Sequence, residues 1–221
     1  MSVLIVSIIS FLALLASACA QAPVAIVEDV KGKVAGVEFM DYVSPGQVIK
    51  LGTTGSIVLG YMTSCWRETI TGGVVVVGTQ ESKVQFAKME RTKVDCDLNR
   101  AQVSGRETSQ SAATTFRSID PGRPTEAPRQ LRIYGLSPVV ETTLRGNLVI
   151  ERIDLPGERH EVRLGATSLT KGRFYDFATA GTSLVPGGTY AAVLGSSRTI
   201  FTVDPLARPG AAPIISRLLR L

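Results

Sequence analysis

The chain has 221 residues, 44% of them hydrophobic, and a formal net charge of +5. Its 21 glycines and 11 prolines, its many β-branched residues and its few segments of helical period point to an all-β protein and away from a helical one. One histidine and three cysteines leave little from which to build a metal centre or a nucleophilic site.

Residues 1–20, MSVLIVSIISFLALLASACA, carry no charged side chain and read as an apolar signal helix. Ala18-Cys19-Ala20 fits a cut before Gln21. Ala16-Ser17-Ala18 fits a cut before Cys19, which would expose a cysteine in a loose likeness of the bacterial lipobox and makes Cys19 a candidate for lipidation. A third reading is an uncleaved anchor, because the stretch is near the ~20 residues that a spanning helix needs. All three put the rest of the chain outside the cytoplasm, periplasmic or secreted, with membrane anchoring through the N-terminus as one form of this. Cys65 and Cys96 are then expected to form a disulfide, stabilising the fold by roughly 3–4 kcal/mol in the chain-entropy model. Zinc needs about four ligands, a redox pair is usually C-x-x-C, and a cysteine nucleophile needs a partner base, so these alternatives fit poorly.

The first folded region is expected over residues 21–103. Strand-like runs occur at Val24–Val30, Val48–Leu51 and Ser56–Leu59, punctuated by Gly32, Gly36 and Pro45-Gly46. Gly72-Gly73 lies between runs at Cys65–Thr71 and Val74–Thr79 and predicts a two-residue hairpin turn. Four consecutive valines predict a strand buried on both faces. Trp66 reads as a packing residue.

On Val30-x-Gly32-x-Val34, Val43-x-x-Gly46-x-Val-Ile-x-Leu-Gly52 and Thr54-Gly-Ser-Ile-Val-Leu59, this region resembles the FecR-like periplasmic domain. The resemblance covers about a third of the chain. It implies a compact β domain in the cell envelope, where the best-known members relay an outer-membrane event to an anti-sigma system. Those members carry a cytoplasmic helical region ahead of the membrane segment. Here the hydrophobic segment starts at residue 3, so the resemblance implies the domain and not a direct anti-sigma role.

Residues 104–129 are rich in Ser, Thr and Pro and read as a flexible linker. Residues 130–205 hold seven short strand candidates: Leu131–Tyr134, Val139–Thr143, Asn147–Ile153, Arg159–Leu164, Phe174–Phe177, Tyr190–Leu194 and Thr199–Val203. That number with frequent turns predicts a β-sandwich. Leu184-x-Pro186-Gly187-x-x-Tyr190 resembles the tyrosine corner of immunoglobulin-like and fibronectin-type domains, which implies an Ig-like sandwich with the Tyr hydroxyl bonded back to the backbone. The tail, 206–221, ends in Ile-Ile-Ser-Arg-Leu-Leu-Arg-Leu. It reads as a weakly amphipathic turn that docks on its own domain, on a partner or on a membrane.

Charge is unevenly spread. Residues 21–100 hold nine basic and nine acidic side chains, 101–128 three of each, and 129–221 twelve and seven, so the whole +5 lies in the last region. Eleven of those twelve are Arg. This points to an envelope protein or an anionic envelope component as partner, through Arg145, Arg152, Arg159, Arg163 and Arg173, against the bland alternative of a solvated basic surface. Nucleic acid is excluded as a partner by export and by the lack of an aromatic-basic motif. Outer-membrane association through lipid or the tail is a further expectation.

The motifs carry no catalytic set. His160 sits in a polar strand edge and reads as a surface histidine. Ser168-x-x-Lys171 lacks the companion motifs of penicillin-recognising enzymes. Gly52–Ser56 is not a phosphate loop, Asp95 and Asp97 lack further calcium ligands, and Glu151 and Asp154 would face opposite sides of a strand. The sequence therefore predicts a non-catalytic binding protein without cofactor or metal. The rival reading is an accessory of an envelope signalling system.

Overall fold

The computed structural model describes residues 21–97, 131–209 and 212–221. The 1–20 segment with Cys19 and the 104–129 linker lie outside the described residues. Turn residues and β-branched runs give an all-β chain in which the one described helix, α1 (Ile214–Arg217), has four residues.

In the N-terminal half, β1 (Ala25–Lys31), β2 (Tyr42–Val43), β3 (Val48–Tyr61), β4 (Trp66–Val76) and β5 (Lys83–Gln85) form one sheet in the order β2-β1-β3-β4-β5, with β6 (Lys88–Lys93) also pairing with β4. β3 and β4 are long enough to serve two sets of neighbours. Ser56–Tyr61 of β3 pairs with β1, and Trp66–Thr71 of β4 pairs with β6. The far ends, Val48–Lys50 and Val74–Val76, pair with each other, and Val74–Val76 also pairs with β5. Between the two sets the register breaks around Gly52, opposite Gly73.

Here the structure corrects the expected hairpin. Gly72 and Gly73 have φ of 72° and 69°, which L side chains rarely adopt, and a Cβ on Gly73 would lie 2.2 Å from the Gln85 carbonyl oxygen. They bend a continuous strand instead of reversing it, because the runs on both sides find their partner in β3 and not in each other. The valine run is corrected too. Val75 and Val77 are buried whereas Val74 and Val76 are half-buried, the alternation of a strand with one face on a core. The bend wraps the sheet around Val27, Ile49, Ile57, Leu59, Tyr61 and Ile70. Cys65 and Cys96 form a disulfide, Cα–Cα 5.7 Å, that ties the start of β4 to the chain beyond β6.

The C-terminal half has two sheets facing one core, a sandwich-like arrangement. β7 (Leu131–Ile133), β9 (Gly146–Arg152), β10 (Arg159–Leu164), β12 (Thr189–Leu194) and β13 (Ser197–Val203) form a five-stranded sheet in the order β10-β9-β12-β13-β7. β8 (Val139–Glu141), β11 (Phe174–Asp176) and β14 (Leu218–Arg220) form a three-stranded sheet in the order β11-β8-β14. The strands β7 to β13 lie at the seven places where the sequence pattern puts them.

The small sheet has two buried faces. The row Tyr175–Val140–Leu219 meets Ile150, Tyr190 and Phe201 of the large sheet. The opposite face, with Phe174, Val139 and Leu218, meets Ile26, Met40 and Met62 of the N-terminal half and the Cys65–Cys96 pair. The two halves therefore share a continuous apolar layer. Fully burying each of these side chains is worth roughly 1.5–3 kcal/mol.

The tail completes that layer. The pairing of β1 with β3 slips at Glu28, a bulge that leaves Glu28 outside the ladder. One carboxylate oxygen of Glu28 accepts the Ile215 N–H at 3.0 Å and the other accepts Arg67 Nε at 2.8 Å. Pro213 precedes α1 and offers no side-chain cap, so Glu28 supplies the anion at this helix start from 187 positions away. Gly60 makes room, since a Cβ there would lie 2.8 Å from both Glu28 Oε1 and Ile215 Cγ2. Arg217 is buried on Asp176 (2.5 and 3.0 Å) and donates to the Ser137 and Ala212 carbonyls. The expected amphipathic turn docks on its own chain, as a short helix followed by a strand, with every residue from Ile214 to Leu219 buried. Asp97 accepts the Arg132 N–H at 3.0 Å, so the described chain stops and resumes at neighbouring points.

Three outcomes follow. Replacing Cys65 and Cys96 by Ala should lower the unfolding free energy by about 3 kcal/mol in urea titration. Arg217→Leu should cost about 3–5 kcal/mol by leaving Asp176 buried and unpaired, and adding Asp176→Leu should recover much of it. A chain cut once at a protease site introduced within residues 104–129 should elute from gel filtration as one particle under non-reducing conditions.

Candidate functional site

The five arginines singled out in the sequence occupy three places. Arg159 and Arg163 lie on the outer face of the five-stranded sheet, across from Glu151 and Asn147 of β9. Arg159 is paired with Glu151 (3.7 Å) and Glu161 (3.3 Å), whereas Arg163 is exposed and has no ion pair among the described residues. Arg198 of β13, not singled out in the sequence, is exposed on the same face through the row Glu161–Val149–Val193–Arg198 and also has no ion pair among the described residues.

Arg152 points to the other side of β9. Asp154 holds it at 2.9 and 3.2 Å and Glu158 at 3.7 Å. The guanidinium bonded to Asp154 keeps that carboxyl down at about 2. Beside it, the Tyr190 hydroxyl accepts the Val185 N–H at 2.9 Å and donates to Glu158 at 2.6 Å. Burial, then the bond to Glu158, pushes the Tyr190 phenol up. Tyr190 stacks on Phe201 with ring centroids 5.6 Å apart, Leu184 is buried in the same core, and Gly187 turns the chain after Pro186 with φ of 78°. His160 Nε2 lies 3.4 Å from Glu158 and so shares this corner. The polar groups are satisfied by one another and close the end of the sheet.

Arg173 lies at the junction of the halves, and Arg145 reaches the carbonyl of the residue before it. Arg145 donates to the carbonyls of Thr143 (3.0 Å), Leu144 (3.1 Å) and Gly172 (2.8 Å). Arg173 lies over the rings of Tyr42 (4.7 Å) and Phe174 (5.0 Å), with Glu141 4.0 Å away. Glu141 is engaged more closely by Arg220 Nε (2.9 Å) and the Tyr42 hydroxyl (2.7 Å). Burial, then the Glu141 charge, pushes Tyr42 up to about 12. A cleft of about 260 Å³ opens here between Glu141, Thr142, Thr143, Arg173, Arg220 and Leu221. Lys171 adds ion pairs to Glu38 and to Asp41 (3.2 Å) across the same junction.

The remaining motifs are absorbed locally. Ser168 Oγ accepts from Gly165 N and donates to Gly165 O, a turn bond that leaves it apart from the Lys171 ion pairs. Asp97 holds the Arg132 amide. Among the described residues there is no group of three or more His, Cys, Asp or Glu placed to hold a metal ion. Comparison with family models, with curated proteins and with solved structures returned no match.

Glu28, Tyr42, Glu141 and Arg220 carry no sequence signal of their role. Tyr42 and Glu141 are 99 positions apart and meet only when the halves close. The one hint was the tail's density of Ile and Leu around Arg217 and Arg220.

The titrations give signed expectations. Asp154 has a folded-state value below its ordinary 3.8, so its contribution is present above that value and is lost as pH falls toward about 2. The stability gap between the parent chain and Asp154→Asn should be constant above about pH 5 and should close below about pH 2 in urea titrations. Tyr42 is raised from 10.0 to about 12, so its contribution is complete below pH 10 and fades as pH climbs through 12. Tyr42→Phe should remove that part of the alkaline loss.

Proposed function

We propose that the chain is a non-catalytic binding protein of the bacterial cell envelope, built from a FecR-like β domain and an Ig-like sandwich. The observation that carries the reading is the placement of Arg163 and Arg198, exposed on one outer sheet face without carboxylate partners among the described residues, with Arg145 bonded to backbone carbonyls. Guanidinium groups held this way keep their charge for an external anion and match carboxylate or phosphate geometry. Arg152 and Arg159 serve less well, because carboxylates already hold them.

The disulfide supports an oxidising compartment, since such bonds persist outside the reducing cytosol. The uncharged run over residues 1–20 supports export by the same logic. The Tyr190-to-Val185 bond supports the Ig-like reading of the second half, and the bent β3–β4 pair is compatible with the FecR-like reading of the first. The ligand class is an anionic envelope polymer or an acidic envelope protein.

Sedimentation with purified cell-wall sacculi and with lipopolysaccharide tests the reading. The parent chain should co-sediment in a salt-sensitive manner, and Arg145→Gln, Arg163→Gln and Arg198→Gln combined should lose it while thermal unfolding is unchanged. Equal sedimentation of both proteins would overturn the arginine assignment. Recovery of the chain from cytosol with Cys65 and Cys96 reduced would overturn the compartment.

A further inference from the structure

One face of the N-terminal half has the composition of a membrane-contacting surface, and it contains none of the arginines discussed above. Past the bend, β3, β4 and β5 lie side by side, in the rows Val48–Val76–Lys83 and Lys50–Val74–Gln85. The intervening Ile49, Leu51 and Val75 are buried in the core, so these two rows face outward. Val48 is 54% exposed, and Val74 and Val76 are half-covered. Lys50 and Lys83 form no ion pair among the described residues. Lys33 joins them, because a bridge between Ala35 and Lys50 brings its loop to the same edge, and it too has no ion pair among the described residues. The two rows contain no carboxylate. The neighbouring Glu81 is bound by Arg91 at 2.6 Å.

At the end of β5 stands Phe86, 98% exposed and with φ of 55°. A left-handed backbone is unusual for a bulky side chain, and strain of this kind is worth roughly 1–3 kcal/mol and tends to mark contact sites. Among the described residues no packing accounts for an aromatic ring held in the open here.

The route of the chain supplies the occupant. Ser44 Oγ donates to the Gln21 carbonyl at 3.2 Å, and Ser44 N–H donates to Gln47, the residue before Val48. Twenty residues without a charged side chain thus join the folded protein at the edge of this face. We infer that the Val48–Val76–Lys83 face, with Lys33, Lys50 and Phe86, rests on an anionic bilayer surface. The valines and Phe86 enter the headgroup boundary, and the three lysines meet lipid phosphates. The inference does not depend on the arginine-based binding of the other half. It rests on the readings in which the chain is kept at a membrane, through an uncleaved leader or a lipidated Cys19.

The test uses the full chain with Phe86→Trp, and with Leu206→Trp as reference, since Leu206 is 85% exposed in the other half. Emission is followed on vesicles of brominated phosphatidylcholine with or without phosphatidylglycerol, and the Trp66 signal of the parent chain is subtracted. The expected result is a blue shift and bromine quenching of Trp at position 86, on phosphatidylglycerol-containing vesicles, that the position-206 reference lacks. Lys33→Gln, Lys50→Gln and Lys83→Gln combined should lose that signal, and the corresponding Arg replacements should keep it. Quenching no stronger than at position 206, equal quenching on pure phosphatidylcholine, or indifference to the Gln replacements would each overturn the inference.

Discussion

A three-stranded sheet with two buried faces decides how this chain is put together. A sheet that covers one core can leave its other face to water. Here the second face carries Val139, Phe174 and Leu218, and leaving these exposed would present a contiguous apolar patch. The N-terminal half covers it, and the tail supplies both β14 and the helix that fills the seam. Removing the tail would therefore strip one strand from the small sheet and uncover parts of both neighbouring cores.

Charges at this seam are arranged to make such closure specific. Glu28 is nearly inaccessible, yet Arg67 and the Ile215 amide satisfy its two oxygens. Arg217 and Asp176 form a bidentate pair in the same layer. A buried pair of this kind is weak evidence for net stability, but either partner left alone carries a heavy desolvation cost. Apolar contact pulls the halves together in many orientations, whereas the bond from the Ile215 amide to Glu28, which crosses from one half to the other, accepts one. Tyr42, Glu141 and Arg220 repeat the arrangement at the rim, where the cleft opens.

Local pattern made much of the architecture legible. The seven runs between Leu131 and Val203 alternate or cluster in ways that only strands satisfy, and turn residues separate them cleanly. The disulfide was legible from two cysteines and the expectation of an exported chain. Gly72-Gly73 misled because positive φ tells that a chain bends and not which segment it pairs with afterwards. The tail was legible as a segment that docks and not as a strand. Leu218 to Arg220 form a strand only because β8 offers a free edge, and eight residues carry no record of that edge. Of the arginines, the sequence gives identity but not company. Glu151 across the strand pair and Glu161 two positions along the same strand neutralise Arg159, while Arg163, four positions on, faces Asn147 and has no ion pair among the described residues.

The bond between Asp97 and the amide of Arg132 changes what the intervening stretch has to do. A spacer between two separate bodies sets their reach, and its length is part of the design. Here both ends of the stretch are moored at one spot, so the separation of the halves is independent of how many residues lie between. Loop-closure entropy grows only logarithmically, about 0.6 kcal/mol for each doubling in length. This position would accept sequence drift, insertions or an entire inserted module while the scaffold on either side stays as it is.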